Sequence, residues 1–275
     1  NVLISPDKKF AALLQRTGLP SIADLSREEF RIAGLRIDPA VNGPSRRRYS
    51  VSLEMMSMDD LTPIAVKGLP SDLKMGSFSW SNDGNQFAFL NATDNSIELW
   101  IGDIVSMSAR KIDDGVNAIL GGRFYGGFSW LPDNKSLVYQ VVDPDRGERP
   151  VISAVPEGPI VQENRGRKGA ARTFQDLLKN PADEQLFEYF ATSVIKVWDG
   201  LSSKEISDAG IYTGVTFSPD ANFILVEEVI KPFSYIVPYC LFPSVVSIWD
   251  ARGNVVKTLF EKPLKENLPR GFDMT

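Results

Sequence analysis

Histidine is absent from all 275 residues, and cysteine occurs once, at Cys240. Histidine is the usual base for a serine or cysteine nucleophile and a common zinc ligand, so the chain holds no Ser-His-Asp or Cys-His site by itself. One cysteine excludes an internal disulfide and a cysteine-based metal cluster. No cofactor and no metal site is expected. Long apolar runs are missing too: none reaches the roughly 18 to 20 residues of a membrane-spanning helix, and no signal peptide is legible at Asn1. Any targeting segment is expected upstream. Basic blocks are scarce beyond Arg46-Arg47-Arg48, and a net charge of −5 argues against nucleic acid as the main partner.

What is present is apolar and patterned. A chain with 43% apolar and 10% aromatic residues is long enough for one large β domain or two ordinary ones. Its organising stretch is FSWSNDGNQFAFL, residues 78–90. Phe78 and Trp80 fall two apart, as do Phe87 and Phe89, which is the strand period; each run then buries one face while Ser79, Gln86 and Ala88 take the other. Asp83-Gly84 supplies the turn, since Asp caps local N–H groups and Gly tolerates positive φ.

The hairpin recurs. Ile4-SPDKKFAALLQ precedes it, and Phe128-SWLPDNKSLVYQV and Phe217-SPDANFILVEEV follow, with turn aspartates at Asp7, Asp83, Asp133 and Asp220. After each hairpin comes a third strand (Tyr49-SVSLEMM, Ser96-IELWIGD, Thr192-SVIKVWD, Val245-VSIWD) and then a short fourth (Pro63-IAV, Ala109-RKI, Ser203-KEI, Asn254-VVKTLF). Four-stranded units repeated in series predict an all-β fold, a partial β-propeller with blades near 2–66, 77–112, 126–207 and 211–260.

The irregular spacing between units is taken up by insertions at 16–48, 143–191 and 230–243, all between the second and third strands of a blade. Strands in a blade alternate direction, so such loops emerge on one face and the hairpin turns on the other. Insertions confined to one face of a repeat fold often mark its binding side. In the first, Ser26-Arg-Glu-Glu29 matches a capping box leading into Phe30, Ile32 and Leu35 and predicts a helix. In the second, Thr173-FQDLLKN and Asp183-EQLFEYF each carry an apolar side and predict two more, while 144–171, rich in Pro, Gly and charge, reads as an exposed arm.

The insertions also carry longer texts: Ala33-GLRIDPAVNGPSR, Val155-PEGPIVQEN, Arg172-TFQDLLKNPADEQLFEYFATS and Lys231-PFSYIVPYCLFPSVVSIWD. From residue 1 to about 270 these resemble, in order, the N-terminal propeller of the prolyl oligopeptidase-type serine peptidases, in the glutamyl endopeptidase-like branch of the plant chloroplast enzyme and bacterial relatives. The resemblance implies a seven-bladed propeller, of which about four blades are present, over a C-terminal α/β-hydrolase domain that carries the Ser-Asp-His triad. It implies a plastid or bacterial extracytoplasmic setting. No Gly-x-Ser-x-Gly elbow occurs in 1–275, so no catalytic residue is carried over.

Within that frame the expected partners are a peptide substrate and the hydrolase domain of the same parent protein, and the expected role is gating and filtering of peptides for hydrolysis, with a preference for cleavage after acidic residues. Such a preference requires cations, ideally the Arg fork that binds carboxylate bidentately. Arg36, Arg47 and Arg48 are the candidates, with Arg46 beside them, and Tyr235 offers an aromatic side chain in a loop stiffened by Pro232, Pro238 and Pro243. Glu227-Glu228 is a weaker candidate, because adjacent strand residues point to opposite faces. The alternative is a free-standing propeller used as a protein interaction scaffold.

Overall fold

The computed structural model describes residues 1–19, 21–120, 127–151 and 174–266. In chain order it runs β1 (Val2–Ile4), β2 (Phe10–Arg16), α1 (Ile22–Ser26), β3 (Phe30–Ile32), β4 (Leu35–Asp38), β5 (Gly43–Pro44), β6 (Ser50–Ser57) and β7 (Pro63–Ala65). Then follow β8 (Met75–Trp80), β9 (Gln86–Ala92), β10 (Ile97–Asp103), β11 (Ser108–Asp113), β12 (Phe128–Trp130) and β13 (Leu137–Val142). The rest is α2 (Pro181–Ala191), β14 (Ser193–Trp198), β15 (Ser203–Glu205), β16 (Tyr212–Phe217), β17 (Phe223–Val229), β18 (Ser244–Asp250) and β19 (Val255–Lys262). Pairing is antiparallel within each group of four: β1-β2-β6-β7, β8-β9-β10-β11, β12-β13-β14-β15 and β16-β17-β18-β19. These are propeller blades in series. Among the described residues, no helix is long and apolar enough to cross a membrane.

The hairpin turns repeat one device. Ser5, Ser81 and Ser218 each donate their hydroxyl to the aspartate two residues on, at 2.6, 2.6 and 2.5 Å. Each also accepts the N–H of the first residue of the next strand, at 2.9–3.0 Å. In the third turn Leu131 stands in the serine's place, and Ser136 donates to Asp133 instead, at 2.6 Å. Lys8, Gly84, Asn134 and Ala221 close the turns with φ between 58° and 76°, the left-handed region that glycine and asparagine enter most easily.

Three apolar cores lie between successive blades. Phe87 and Phe89 point from β9 towards Ala12, Leu14, Leu53 and Met55 of the first blade. Ala88 and Leu90, on the other face of the same strand, pack with Leu137, Tyr139, Val141 and Trp198 of the third. Val138 and Ile195 then meet Tyr212, Ile224, Val226 and Trp249 of the fourth. The expectation of one buried face per strand therefore fails at Ala88, which is fully buried: a strand with a blade on either side is apolar on both faces. The outward faces of the row are apolar as well, with Val2, Ile4 and Val51 exposed at one end and Phe223, Leu225, Val256 and Phe260 at the other.

The insertions pack on one another. Ile32, Ala33 and Ile37 of the first, Leu178, Leu186, Phe187 and Phe190 of the second, and Phe233, Val237 and Phe242 of the third form one buried cluster with the linker residues Ile119, Leu120 and Ile211. Two of the helix expectations are corrected. Phe30, Ile32, Leu35 and Ile37 recur two apart and lie in the three-stranded sheet β3-β4-β5, while the helix sits upstream as α1, with Ser21 and Asp24 forming the capping box. Residues 174–180 are not helical; Asp176 takes φ 58°. Only the run after Pro181 forms a helix, α2, capped by Asn180 and burying Leu186, Phe187 and Phe190. Most of the arm at 144–171, with its Val155-PEGPIVQEN text, lies outside the described residues.

Two asparagines fix α2 to the blades. Asn42 and Asn117 both donate their side-chain amides to the Phe190 carbonyl, at 3.1 and 3.0 Å, and Asn117 also reaches Thr192 O at 3.1 Å. These bonds satisfy carbonyls that the helix end leaves without intrahelical partners. Ion pairs join the insertions at their rims, Arg36 Nε to Asp176 at 2.8 Å and Lys231 Nζ to Glu188 at 2.9 Å, while Arg27 Nε to Asp38 at 2.6 Å closes the first insertion on itself.

Candidate functional site

The first strands of the first three blades are where the chain offers a groove. β1, β8 and β12 lie side by side, tied by indole hydrogen bonds: Trp80 Nε1 donates to Leu3 O at 3.1 Å and Trp130 Nε1 to Ser79 O at 3.2 Å. Phe217 occupies the matching position of the fourth blade and has no such donor. With their N–H groups committed, Trp80 and Trp130 join Phe78 and Phe128 in the wall of an open groove of about 890 Å³.

The end of β2 and the segment entering β6 supply the charge. Arg16 pairs with Ser50 across the two strands, and Thr17 N donates to Tyr49 O at 3.2 Å, which holds Arg47 and Arg48 beside Arg16. All three arginines line the groove, and among the described residues no Asp or Glu does. The Asn1 side-chain oxygen, in the amide orientation that satisfies both groups, accepts from Arg16 Nε and Nη2 at 2.9 Å. Arg47 reaches towards β8, where a β-carbon on Gly76 would come 3.2 Å from Nη1; a glycine there leaves room for the guanidinium.

Such a wall suits binding. Guanidinium groups hold carboxylates through paired N–H donors, and flat aromatic faces hold an extended chain without demanding a sequence. Hydroxyls from Ser50, Ser77, Ser79 and Ser129 also line it, but a chain with no histidine supplies none of them with the usual base.

Of the four residues singled out in the sequence, Arg47 and Arg48 meet in this groove, while Arg36 and Tyr235 lie in the insertion layer. Arg36 is bound to Asp176, whose carboxylate raises its pKa further. Tyr235 is pushed up to about 12 by burial and by its hydrogen bond to Glu184 of α2. Arg46 pairs with Glu29 at 3.0 Å. Glu227 and Glu228 diverge: burial works against ionisation of Glu227, but Lys262 at 2.7 Å and Ser244 at 2.8 Å override it and hold the carboxyl below its ordinary range. Burial alone raises Glu228. Arg16 was not singled out; its signal was its place as the last residue of a strand whose partner strand begins just after Arg47-Arg48.

No family model matches the chain. Two curated proteins do, each named probable glutamyl endopeptidase, chloroplastic. The one from Oryza sativa subsp. japonica is 34% identical over 278 residues, which is 96% of this chain and 29% of that protein. Over the aligned residues the chain is homologous to this rice protein. The Arabidopsis thaliana protein is likewise 34% identical over 277 residues, 96% of this chain and 28% of its own length, so the chain spans under a third of the length of the relatives it matches. Among solved structures, the β-propeller domain of the Trilobed protease from Pyrococcus furiosus is 12% identical, with 92% of this chain and 54% of that one aligned at a TM-score of 0.45.

Proposed function

We propose that this chain is the peptide-admitting propeller portion of a serine endopeptidase and contributes no catalytic group of its own. Its inner strands guide peptide towards an α/β-hydrolase domain carried elsewhere in the parent protein. The observation that supports this most is the 34% identity running through 96% of the chain to proteins named as endopeptidases. The absence of histidine accords with it, because a Ser-Asp-His triad has to come from outside these 275 residues. In this reading Arg47 and Arg48 contact substrate from the groove wall, with Arg16 as a third member, and cleavage after acidic residues draws on their charge. Arg36 and Tyr235 contribute from the insertion face, Arg36 through the fork it shares with Asp176.

The test compares two proteins. The 275-residue chain is expected to show neither turnover of a fluorogenic peptide nor labelling by a serine-reactive fluorophosphonate, while the full product of its gene shows both. Turnover and labelling by the 275-residue chain alone would refute the assignment, as would a full-length product that shows neither.

A further inference from the structure

Each blade meets the next across an apolar core, but the polar ties that accompany these cores are unequal. Between the first and second blades, Trp80 Nε1 holds Leu3 O at 3.1 Å, and Lys67, just after β7, exchanges backbone bonds with Met107 and Ala109 at 2.9 and 2.8 Å. Between the second and third, Trp130 Nε1 holds Ser79 O at 3.2 Å and the Tyr139 hydroxyl donates to Asp113. Lys196 Nζ approaches the same carboxylate at 3.5 Å, and the Arg110 guanidinium lies 5.5 Å from the centre of the Trp198 ring. Between the third and fourth blades, among the described residues, the strands share no side-chain hydrogen bond, ion pair or cation–π contact. The core there sets Val138 and Ile195 against Ile224, Val226 and Trp249. Gly253, in the last turn of the fourth blade, lies so near Ile206 O that a β-carbon would sit 1.6 Å from it, a packing contact with no donor. The spacing that takes Trp80 to Leu3 and Trp130 to Ser79 would take residue 217 to Ser129 O, and Phe217 has nothing to donate.

What joins these two blades lies on the insertion side. Ser193 and Gly210 of the linker exchange backbone bonds at 2.8 and 3.0 Å. In the same linker Ser207 Oγ accepts from Ile195 N at 2.8 Å and Asp208 O from the Tyr212 hydroxyl at 2.9 Å. Beyond the linker, Lys231 pairs with Glu188, and the Phe187 ring meets Phe233 and Phe242. Trp80, Trp130 and Phe217 end their strands at the hairpin turns, on the opposite face. Apolar contact is non-directional and tolerates sliding, whereas hydrogen bonds hold one geometry. We infer that the propeller opens along the seam between its third and fourth blades, pivoting on the insertion layer so that the two blades part at the hairpin-turn face. Where the inner strands guide peptide, as proposed above, this seam is the line along which the path widens. That consequence rests on the proposed function; the motion itself does not.

Distances between paired spin labels, measured by pulsed electron resonance, test it on the 275-residue chain carrying Cys240→Ser, since Cys240 is its one cysteine and is exposed. Turns between third and fourth strands share the hairpin-turn face and supply the label sites: Leu61, Val105 and Leu201, 61%, 91% and 93% exposed, and the exposed Arg252. The pairs L61C/V105C, V105C/L201C and L201C/R252C span the three seams in order. The third pair is expected to give a distance distribution at least twice as broad as either of the others, extending to longer distances. The first pair controls for end effects, because the first blade lies at an end of the tested chain as the fourth does, yet is held through Trp80. F217W restores an indole at the loose seam and is expected to narrow the third distribution to the width of the second. Equal widths at all three seams overturn the inference, and so does a first distribution as broad as the third. An F217W variant that melts with the parent and leaves the third width unchanged overturns it too; one that melts early leaves the decision to the comparison of the three seams. Distances are read without hydrolysis. Failure here therefore leaves the endopeptidase assignment standing, and an inactive full-length product whose third seam is still broad sinks only that assignment.

Discussion

Phe187→Ala tests whether the insertion layer and the blades fold as one unit. Phe187 is fully buried on α2, edge-on to Phe233 at 5.1 Å and to Phe242 at 5.7 Å between ring centroids, so the second and third insertions meet through its ring. Truncation of a buried Phe costs about 3–5 kcal/mol, and two aromatic contacts place this site in the upper part of that range. The loss has a route to the blades. Ile211 and Val229, which flank the strands of the fourth blade, belong to the same cluster, and Asn42 and Asn117 bind the end of α2. All five tryptophans, Trp80, Trp100, Trp130, Trp198 and Trp249, lie on blade strands, so tryptophan fluorescence in a urea titration reads the blades and not the layer. With a slope of about 3 kcal/mol per M, the tryptophan midpoint is expected to fall by about 1.3 to 1.7 M. An unchanged tryptophan midpoint, alongside loss of near-ultraviolet circular dichroism from Tyr189, Tyr235 and Tyr239, would show the layer melting alone and refute the coupling.

Three further outcomes follow from the same contacts. Asn117→Ala leaves Thr192 O without its side-chain donor and takes one of two from Phe190 O; it is expected to destabilise by about 1–3 kcal/mol, measured by thermal melting, and a melting temperature within error of the parent would argue against the double anchor. Trp130→Phe deletes the bond to Ser79 O while keeping an aromatic ring, as Phe217 does naturally, and a loss of about 0.5–1.5 kcal/mol is expected; a larger loss would mean the indole's packing outweighs its hydrogen bond. Asp220 is lowered from 3.8 to about 2 by Ser218 and Asn222, and hydrogen bonds from Ser5 and Ser81 likewise bring Asp7 and Asp83 below their ordinary range. A carboxylate depressed in the folded state stabilises it above its unfolded pKa and loses that contribution as pH falls through the folded value. Stability is therefore expected to drop between about pH 4 and pH 2, and Asp220→Asn to flatten that slope; an identical acid titration curve in the variant would contradict the turn chemistry.

The blades were legible in the sequence because their signals are local. Ser5-Pro-Asp7, Ser81-Asn-Asp83 and Ser218-Pro-Asp220 fix a turn within three residues, and the period-two runs on either side fix the strands. The first insertion misled for a physical reason. Ser26 and Glu29 stand at capping-box spacing, but Phe30, Ile32, Leu35 and Ile37 recur in strand register, and Ser21 with Asp24 forms the box that is used. In the second, Phe174, Leu177 and Leu178 have helix-like spacing, yet Leu178 is buried in the layer without a helix, because neighbours from other insertions cover it. The groove was only half visible. Arg47 and Arg48 declared themselves as a block, whereas Arg16 joins them through strand pairing between residues more than 30 apart, which composition does not reveal.

The insertion layer has a consequence in time. Each inter-blade core is assembled from neighbouring blades, but Phe187 waits for Phe242, 55 residues later in the chain. At a synthesis rate of about 5–20 residues per second, α2 emerges roughly 3 to 11 seconds before its ring partners. Through that interval its apolar side is open to any passing surface, and Arg36 and Asp176, 140 residues apart, have the first and second insertions to join but no third to close over them. The layer is completed only when the fourth blade arrives. Its last ring partner, Phe242, emerges just ahead of β18 and β19, the two strands that finish the fourth blade.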